Sequence, residues 1–336
     1  MFFNSVSPAT FVAFILLLLP GVLGSPVLKR SGSKLALDND FPDPSFINVP
    51  GGKWYAFGTE GNGKRVQVAE SDDFTSWALL DIEGLPKVAA WEEDAMHFAP
   101  DVIRREDGKY IMYYCANSKK VGPNKNDHHC VGTAVSDDPK GPYIPNDEPL
   151  VCDLDKGGAI DPAGFQDKDG TYYVTYKVNG NNIGHGGDCN NGVDPLVPTP
   201  LMLQKLGKDA VTPVGDPVQI LDRNTADGDG PLVEAPSLVS SSGTYYLFYS
   251  THCFNERSYD TRYATASSIT GPYTKNNQQI LKSGDNPSLI APGGATVHPD
   301  GDGGRMLFHG WCDSSMEQRC MYNAEISLDG SKASIV

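Results

Sequence analysis

Short runs of β-branched and aromatic residues, broken by Gly, Asp and Pro, fill most of the chain, and helical periodicity is almost absent. Five runs look alike: Lys53-Trp-Tyr-Ala-Phe-Gly58, Lys109-Tyr-Ile-Met-Tyr-Tyr114, Thr171-Tyr-Tyr-Val-Thr-Tyr176, Thr244-Tyr-Tyr-Leu-Phe-Tyr249 and Arg305-Met-Leu-Phe-His-Gly310. Alternation puts aromatics on both faces of each run, as in strands packed between two neighbouring sheets. A turn precedes each run, for example Glu106-Asp-Gly108, Asp167-Lys-Asp-Gly170 and Ser241-Ser-Gly243. Glycine there supplies the positive φ of a tight hairpin, so each run is predicted as a second strand. The preceding strand also repeats, as Pro42-Asp-Pro-Ser-Phe-Ile47, Ala99-Pro-Asp-Val-Ile103, Ile160-Asp-Pro-Ala-Gly-Phe165, Glu234-Ala-Pro-Ser-Leu238 and, more weakly, Pro292-Gly-Gly-Ala-Thr-Val297. A third strand with a polar tail recurs at Val68, Gly132 and Tyr263. The repeat is about 60–70 residues long, and five repeats of about four strands predict an all-β fold, a five-bladed β-propeller.

The N-terminus does not join this pattern. Residues 11–23 form an apolar run too short to span a bilayer, with Gly24 and Ser25 just beyond. A signal peptide over residues 1–24 and a secreted protein are therefore expected. Lys29-Arg30 reads either as the end of a propeptide over residues 25–30 or as a solvated pair. The propeller then occupies residues 31–336. Seven cysteines fit an oxidising compartment, and their odd number leaves one unpaired within the chain. Proximity suggests Cys115–Cys130, Cys312–Cys320 and Cys152–Cys189, with Cys253 free. No Cys-x-x-Cys pair supports a zinc site, and Asn286-Pro-Ser is a blocked glycosylation sequon.

Charge narrows the partners. The 42 Asp and Glu against 27 Lys and Arg give a net charge of −15. This disfavours nucleic acid, anionic membranes and polyanionic substrates, and leaves a neutral partner such as a sugar. Four acids sit beside proline at the predicted first strands: Asp43, Asp101, Asp161 and Glu234. Proline suits the start of a strand, so each acid is placed near the mouth of the central channel, in register with the others. Carboxylates that converge cannot all ionise freely, and one raised acid beside an ordinary one makes a general acid and a general base. Asp101 is assigned mainly to structure.

Phe41-Pro-Asp43-Pro-Ser45, Phe98-Ala-Pro-Asp101-Val102, Ile160-Asp161-Pro162 and Val233-Glu234-Ala-Pro-Ser237, one per blade and in order, resemble glycoside hydrolase family 43. That family comprises five-bladed propellers acting mainly as α-L-arabinofuranosidases, arabinanases and β-xylosidases. The resemblance implies a secreted, inverting hydrolase acting on arabinan or arabinoxylan of the plant cell wall, as a monomer. It implies that Asp43 is the general base, Glu234 the general acid and Asp161 the acid that orients Glu234 and raises its pKa. Inversion needs a water between base and sugar, with the two carboxyls about 6.5–9.5 Å apart. Many members carry a Gly-His pair in the last blade whose His helps hold a central metal ion. The matching stretch is Pro292-Gly-Gly-Ala295 with His298 displaced, so a central calcium is not expected and no cofactor is required. Asp227-Gly-Asp229 and Asp300-Gly-Asp302 lack the EF-hand pattern and read as turns.

Trp91, His97 and Phe98 are candidate sugar platforms, since the C–H face of a sugar packs on a ring. Ordinary core packing competes with that role for each. The Gly- and Asn-rich residues 179–187 are expected to form a rim loop, and His128-His129 a surface pair. Three alternatives stay open: a β-xylosidase of the same family, a retaining fructosidase, and a sugar-binding propeller without catalysis. The fructosidase motifs are mismatched, because Asp43 is flanked by Pro and Ser and Glu234 is followed by Ala.

Overall fold

The computed structural model describes residues 1–2, 32–122, 127–276, 278–300 and 303–336. The expected signal peptide and propeptide lie outside the described residues, apart from Met1 and Phe2. No helix among the described residues is long and apolar enough to cross a membrane. Strand β1 (Lys34–Asp40) leads into four consecutive sheets and a fifth to which it returns. Blade 1 is β2 (Ser45–Asn48), β3 (Trp54–Gly58), β4 (Gln67–Ser71) and β5 (Ala78–Leu79). Blade 2 is β6 (Phe98–Arg104), β7 (Tyr110–Val121), β8 (Asp127–Ser136) and β9 (Ile144–Pro145). Blade 3 is β10 (Ala159–Gln166), β11 (Tyr172–Val178), β12 (Leu201–Lys205) and β13 (Val218–Leu221). Blade 4 is β14 (Val233–Ser241), β15 (Thr244–Thr251), β16 (Asp260–Ala266) and β17 (Thr274–Lys275). Blade 5 is β18 (Gly293–Asp300), β19 (Gly303–Trp311) and β20 (Arg319–Asp329), edged by β1 and by β21 (Lys332–Ile335). The predicted five-bladed propeller and the repeated hairpins are both present, and β1 closes the ring by pairing with β20, Lys34 opposite Asn323.

Each seam between blades is an apolar core built from both faces of the aromatic runs. Phe57, Val68, Met112 and Tyr114 fill the seam between blades 1 and 2. Phe46, Phe74, Leu307 and Met321 fill the closing seam between blades 5 and 1. Each such side chain contributes about 1.5–3 kcal/mol on full burial, so the blades need one another.

Every first strand breaks its pairing at one left-handed residue near the axis: Asp43, Ala99, Asp161, Ala235 and Gly294, with φ of 49, 43, 54, 50 and 57°. The ladder slips at this point in blades 2 to 5. Proline follows in the first four blades, where the interrupted ladder needs no donor. The N–H of the left-handed residue reaches back to the preceding blade. Ala99 donates to Thr59 Oγ1 (2.9 Å), Gly294 to Ser250 Oγ (3.0 Å) and Asp43 to His309 Nδ1 (3.1 Å). Asp161 donates to the sulfur of Cys115, and Ala235 to Asp161 Oδ2 (2.9 Å).

Two disulfide expectations are corrected. The bonds are Cys130–Cys152, Cys189–Cys253 and Cys312–Cys320, and Cys115 is the free, buried thiol. Cys115 is opposite Val131, whereas Cys130 is opposite Ala116. Alternation therefore sends Cys115 and Cys130 to opposite faces of blade 2, which forbids the pairing suggested by proximity.

A methyl group at Gly294 would stand 2.7 Å from His309 Nδ1 and 2.8 Å from Asp43 Oδ1, on a left-handed backbone. Gly294→Ala is expected to lower stability by about 1–3 kcal/mol in urea denaturation. An unchanged midpoint would contradict this account of the axis.

Candidate active site

Asp43, Asp161 and Glu234 line one cavity of about 370 Å³ at the axis. The common register expected from sequence is corrected: the three acids do not share one position. Asp43 and Asp161 occupy the left-handed position, Glu234 precedes it, and Asp101 follows it by two residues. The slip in the ladder is what separates them. Asp101 is turned down the channel, 4% exposed, and its Oδ2 accepts the Gly164 N–H at 2.7 Å. Ser237 accepts the Val297 N–H at the same position of blade 4, which supports the structural assignment of Asp101.

The acids sit in different electrostatic settings. Burial disfavours charge on Asp43, but the Arg319 guanidinium, helped by the Thr59 hydroxyl, offsets it, and the carboxyl lies well below its usual range. Thr59 donates to Oδ2 at 2.7 Å, and Arg319 Nη1 stands 3.4 Å from Oδ1. His309 Nδ1 is 3.1 Å from both Oδ1 and the Asp43 backbone nitrogen. Burial lowers the His309 pKa, so the neutral ring accepts the N–H rather than donating to the carboxylate. Asp161 shifts the opposite way. Burial and the neighbouring Glu234 push it up to about 7, against Lys177. Glu234 is held at both oxygens, Oε1 by the Tyr259 hydroxyl (2.8 Å) and Oε2 by Lys177 Nζ (2.9 Å).

Of the three aromatic candidates, Phe98 lines the cavity, beside His129 at 4.9 Å between rings. His97 and Trp91 do not. His97 is 1% exposed, stacked on Tyr114 at 6.2 Å with Glu60 and Glu92 on either side. Trp91 packs on the same tyrosine at 6.3 Å. His97 and Trp91 both precede β6, which starts at Phe98, and Trp91 lies in a turn seven residues before it. The His128-His129 pair is corrected too. Both lie in β8, His128 fully buried and His129 in the cavity wall. Residues 179–187 do reach the rim, where Asn179 and Asn181 line the cavity. Asp229 is more than a turn residue, being fully buried and paired with Arg262 and Lys275.

Lys177, Tyr259, Arg319 and His309 were not singled out from sequence. Only Lys177 left a signal, as a lone cation in the apolar run of β11. The channel below the acids has about 30 Å³ of free space, lined by Ser45 and Asp101 among others. Ser45 Oγ and Asp101 Oδ1 are buried there without a hydrogen-bond partner. Calcium takes six to eight oxygens, so one hydroxyl and one carboxyl do not make its donor set. The only metal-like cluster among the described residues is Asp38 with Cys312 and Cys320, which are bonded to each other.

A family model, glycosyl hydrolases family 43, matches residues 36–330. The chain belongs to that family. An extracellular endo-α-(1→5)-L-arabinanase of Thermotoga petrophila is 30% identical over 69% of this chain and 50% of its own length. A β-D-galactofuranosidase of Aspergillus niger is 28% identical over 71% of this chain and 64% of its own. These matches thus span about half to two thirds of each relative. Extracellular endo-α-(1→5)-L-arabinanase 1 of Bacillus subtilis is 29% identical over 76% of both chains. Among solved structures, a thermostable family-43 glycoside hydrolase superposes with a TM-score of 0.73 at 23% identity, covering 88% of this chain and 93% of the other, which shows the fold.

Burial raises Asp101 to about 7, only partly opposed by its backbone hydrogen bonds. A carboxyl raised on folding contributes stability below its unfolded pKa and loses it as pH rises through the folded one. Asp101→Asn is therefore expected to remove roughly 1–3 kcal/mol of the stability lost between pH 4 and 7, measured by urea denaturation across that range. Parallel pH profiles for variant and wild type would refute the buried, raised carboxyl.

Proposed function

We propose that the protein is a secreted, inverting glycoside hydrolase that cleaves α-L-arabinofuranosyl linkages in plant cell-wall arabinan or arabinoxylan. The observation that carries the reading is the opposite treatment of carboxyls in one cavity. Asp43 is held ionised by its neighbours, which suits the base that takes a proton from the attacking water. Asp161, buried beside Glu234, keeps its proton into the neutral range. Glu234 delivers a proton to the leaving oxygen, and Asp161 is its positioning and proton-holding neighbour. The ionised Asp43 also stabilises positive charge on the sugar in the oxocarbenium-like transition state. Three disulfides and the extracellular arabinanases among the relatives support secretion and the choice of arabinan.

Proton NMR of the protein with α-1,5-linked arabino-oligosaccharides is expected to show free β-arabinose first. An α-anomer first would mean retention and overturn the roles of Asp43 and Glu234; turnover of xylosides alone would move the substrate to xylan. Asp43→Asn is expected to lower kcat by about 10²–10⁴-fold on every substrate. Glu234→Gln is expected to do so mainly where the leaving group is poor, and full activity in either variant would refute the assignment.

The chain's own residues supply both proton transfers in this scheme. Exhaustive treatment with EDTA is therefore expected to leave kcat within about twofold. A larger loss that calcium restores would place a metal in the working enzyme.

A further inference from the structure

The two groups that hold Glu234 come from segments joined by a disulfide. Lys177 lies at the end of β11, just before the connection over residues 179–200 that leads to β12. Tyr259 ends the connection over residues 252–259 between β15 and β16. Cys189 of the first is bonded to Cys253 of the second. Cys189 itself lines the cavity, as does Phe254, the residue after Cys253. The tip of the first connection is held in an unfavourable backbone, with Cys189 at φ 45° and Asn190 at φ 58°. Such residues persist only where the surroundings hold them. Directly after the tip, the buried Asn191 amide donates to Val197 O (3.0 Å) and Pro231 O (2.7 Å), so hydrogen bonds anchor this segment beside the disulfide.

Phe254 is a large apolar residue of the cavity lining left 39% exposed. Arg319, which also approaches Asp43, lies 5.2 Å from the centre of its ring. Trp311 Nε1 donates to the Phe254 carbonyl at 3.3 Å. The ring is thus fixed from beneath and from its own backbone. A fixed, exposed ring beside a hydrolytic cavity suits the C–H face of a pyranose or furanose unit.

We infer that the Cys189–Cys253 disulfide holds one wall of the cavity as an outer sugar subsite, with Phe254 as its platform. The wall selects oligomeric over short substrates. This rests on the glycosidase reading above. The disulfide is a positioning element here, and Phe254 touches a sugar unit remote from the cleaved bond.

The test compares wild type, the double variant Cys189→Ser/Cys253→Ser and Phe254→Ala on an arabino-oligosaccharide and on a nitrophenyl arabinofuranoside. In both variants KM for the oligosaccharide is expected to rise roughly three- to tenfold, and at least about threefold more than KM for the aryl glycoside. Phe254→Tyr keeps the platform and is expected to behave as wild type. Phe254→Ala leaves the disulfide in place, so it serves if the double variant does not fold. Equal losses on both substrates would show a role in holding Glu234 or the fold, and no loss on either would show none; each overturns the inference. Calorimetric titration of the oligosaccharide into Glu234→Gln, with and without Phe254→Ala, reads the subsite without turnover. If wild type cleaves neither substrate, the glycosidase reading fails, and the platform is then decided by that titration alone: undiminished binding without Phe254 overturns it.

Discussion

The fold depends on satisfying one buried N–H per blade at the axis. Each first strand turns through a left-handed residue there, and the turn takes its N–H out of the ladder. An unpaired buried N–H costs on the order of 1–3 kcal/mol, so five of them would undo much of a domain's net stability. The solution is a ring of bonds running from each blade to the one before it. Thr59, Cys115, Asp161, Ser250 and His309 are the acceptors. This explains why the free cysteine is buried and inert in the centre of the molecule, where burial raises its pKa.

That ring also explains what the sequence made legible. The strands, the turns and the fivefold repeat follow from local chemistry, because each blade repeats the same alternation and the same glycine turns. The acids could be found because proline marks each bulge. Their relative register was missed because proline marks the bulge but not which neighbouring position faces the cavity, and Asp43, Glu234 and Asp101 differ by one or two residues about it. Trp91 and His97 looked equivalent to Phe98 because they lie in the irregular segment before β6, where no periodicity assigns a face. The Cys189–Cys253 bond and the partners of Glu234 were hidden for another reason, whereas the short-range Cys312–Cys320 bond was legible. Cys189 with Cys253, and Lys177 with Tyr259, meet across blades 3 and 4, and nothing in either segment refers to the other.

Asp43 and Asp161 show how one backbone position yields two chemistries. Both are aspartates in the left-handed conformation, followed by proline and half-buried. Blade 1 receives Arg319 across the closing seam, and its carboxylate is stabilised. Blade 3 faces Glu234 of blade 4, and its carboxyl is pushed towards neutrality. The difference resides in the neighbouring blade, so a propeller of near-identical repeats can differentiate its acids without altering the strands that carry them.

Lys177 is the point at which this differentiation enters the ring. It stands opposite Ile160, as Cys115 stands opposite Phe98, Ser250 opposite Glu234 and His309 opposite Gly293. In those blades the second-strand residue accepts the next blade's N–H. A lysine ammonium has donors only, so it cannot fill that role. Lys177 instead donates to Glu234, and Asp161 takes the Ala235 N–H. One substitution in the ring thus does two things: it brings a cation to the carboxylate of blade 4, and it ties Asp161 to the backbone beside that carboxylate. Asp161 serves the ring with one oxygen, and burial beside Glu234 keeps a proton on its carboxyl. The site is therefore an altered copy of a structural bond, which is why its key members lie at positions that elsewhere in the molecule only hold the blades together.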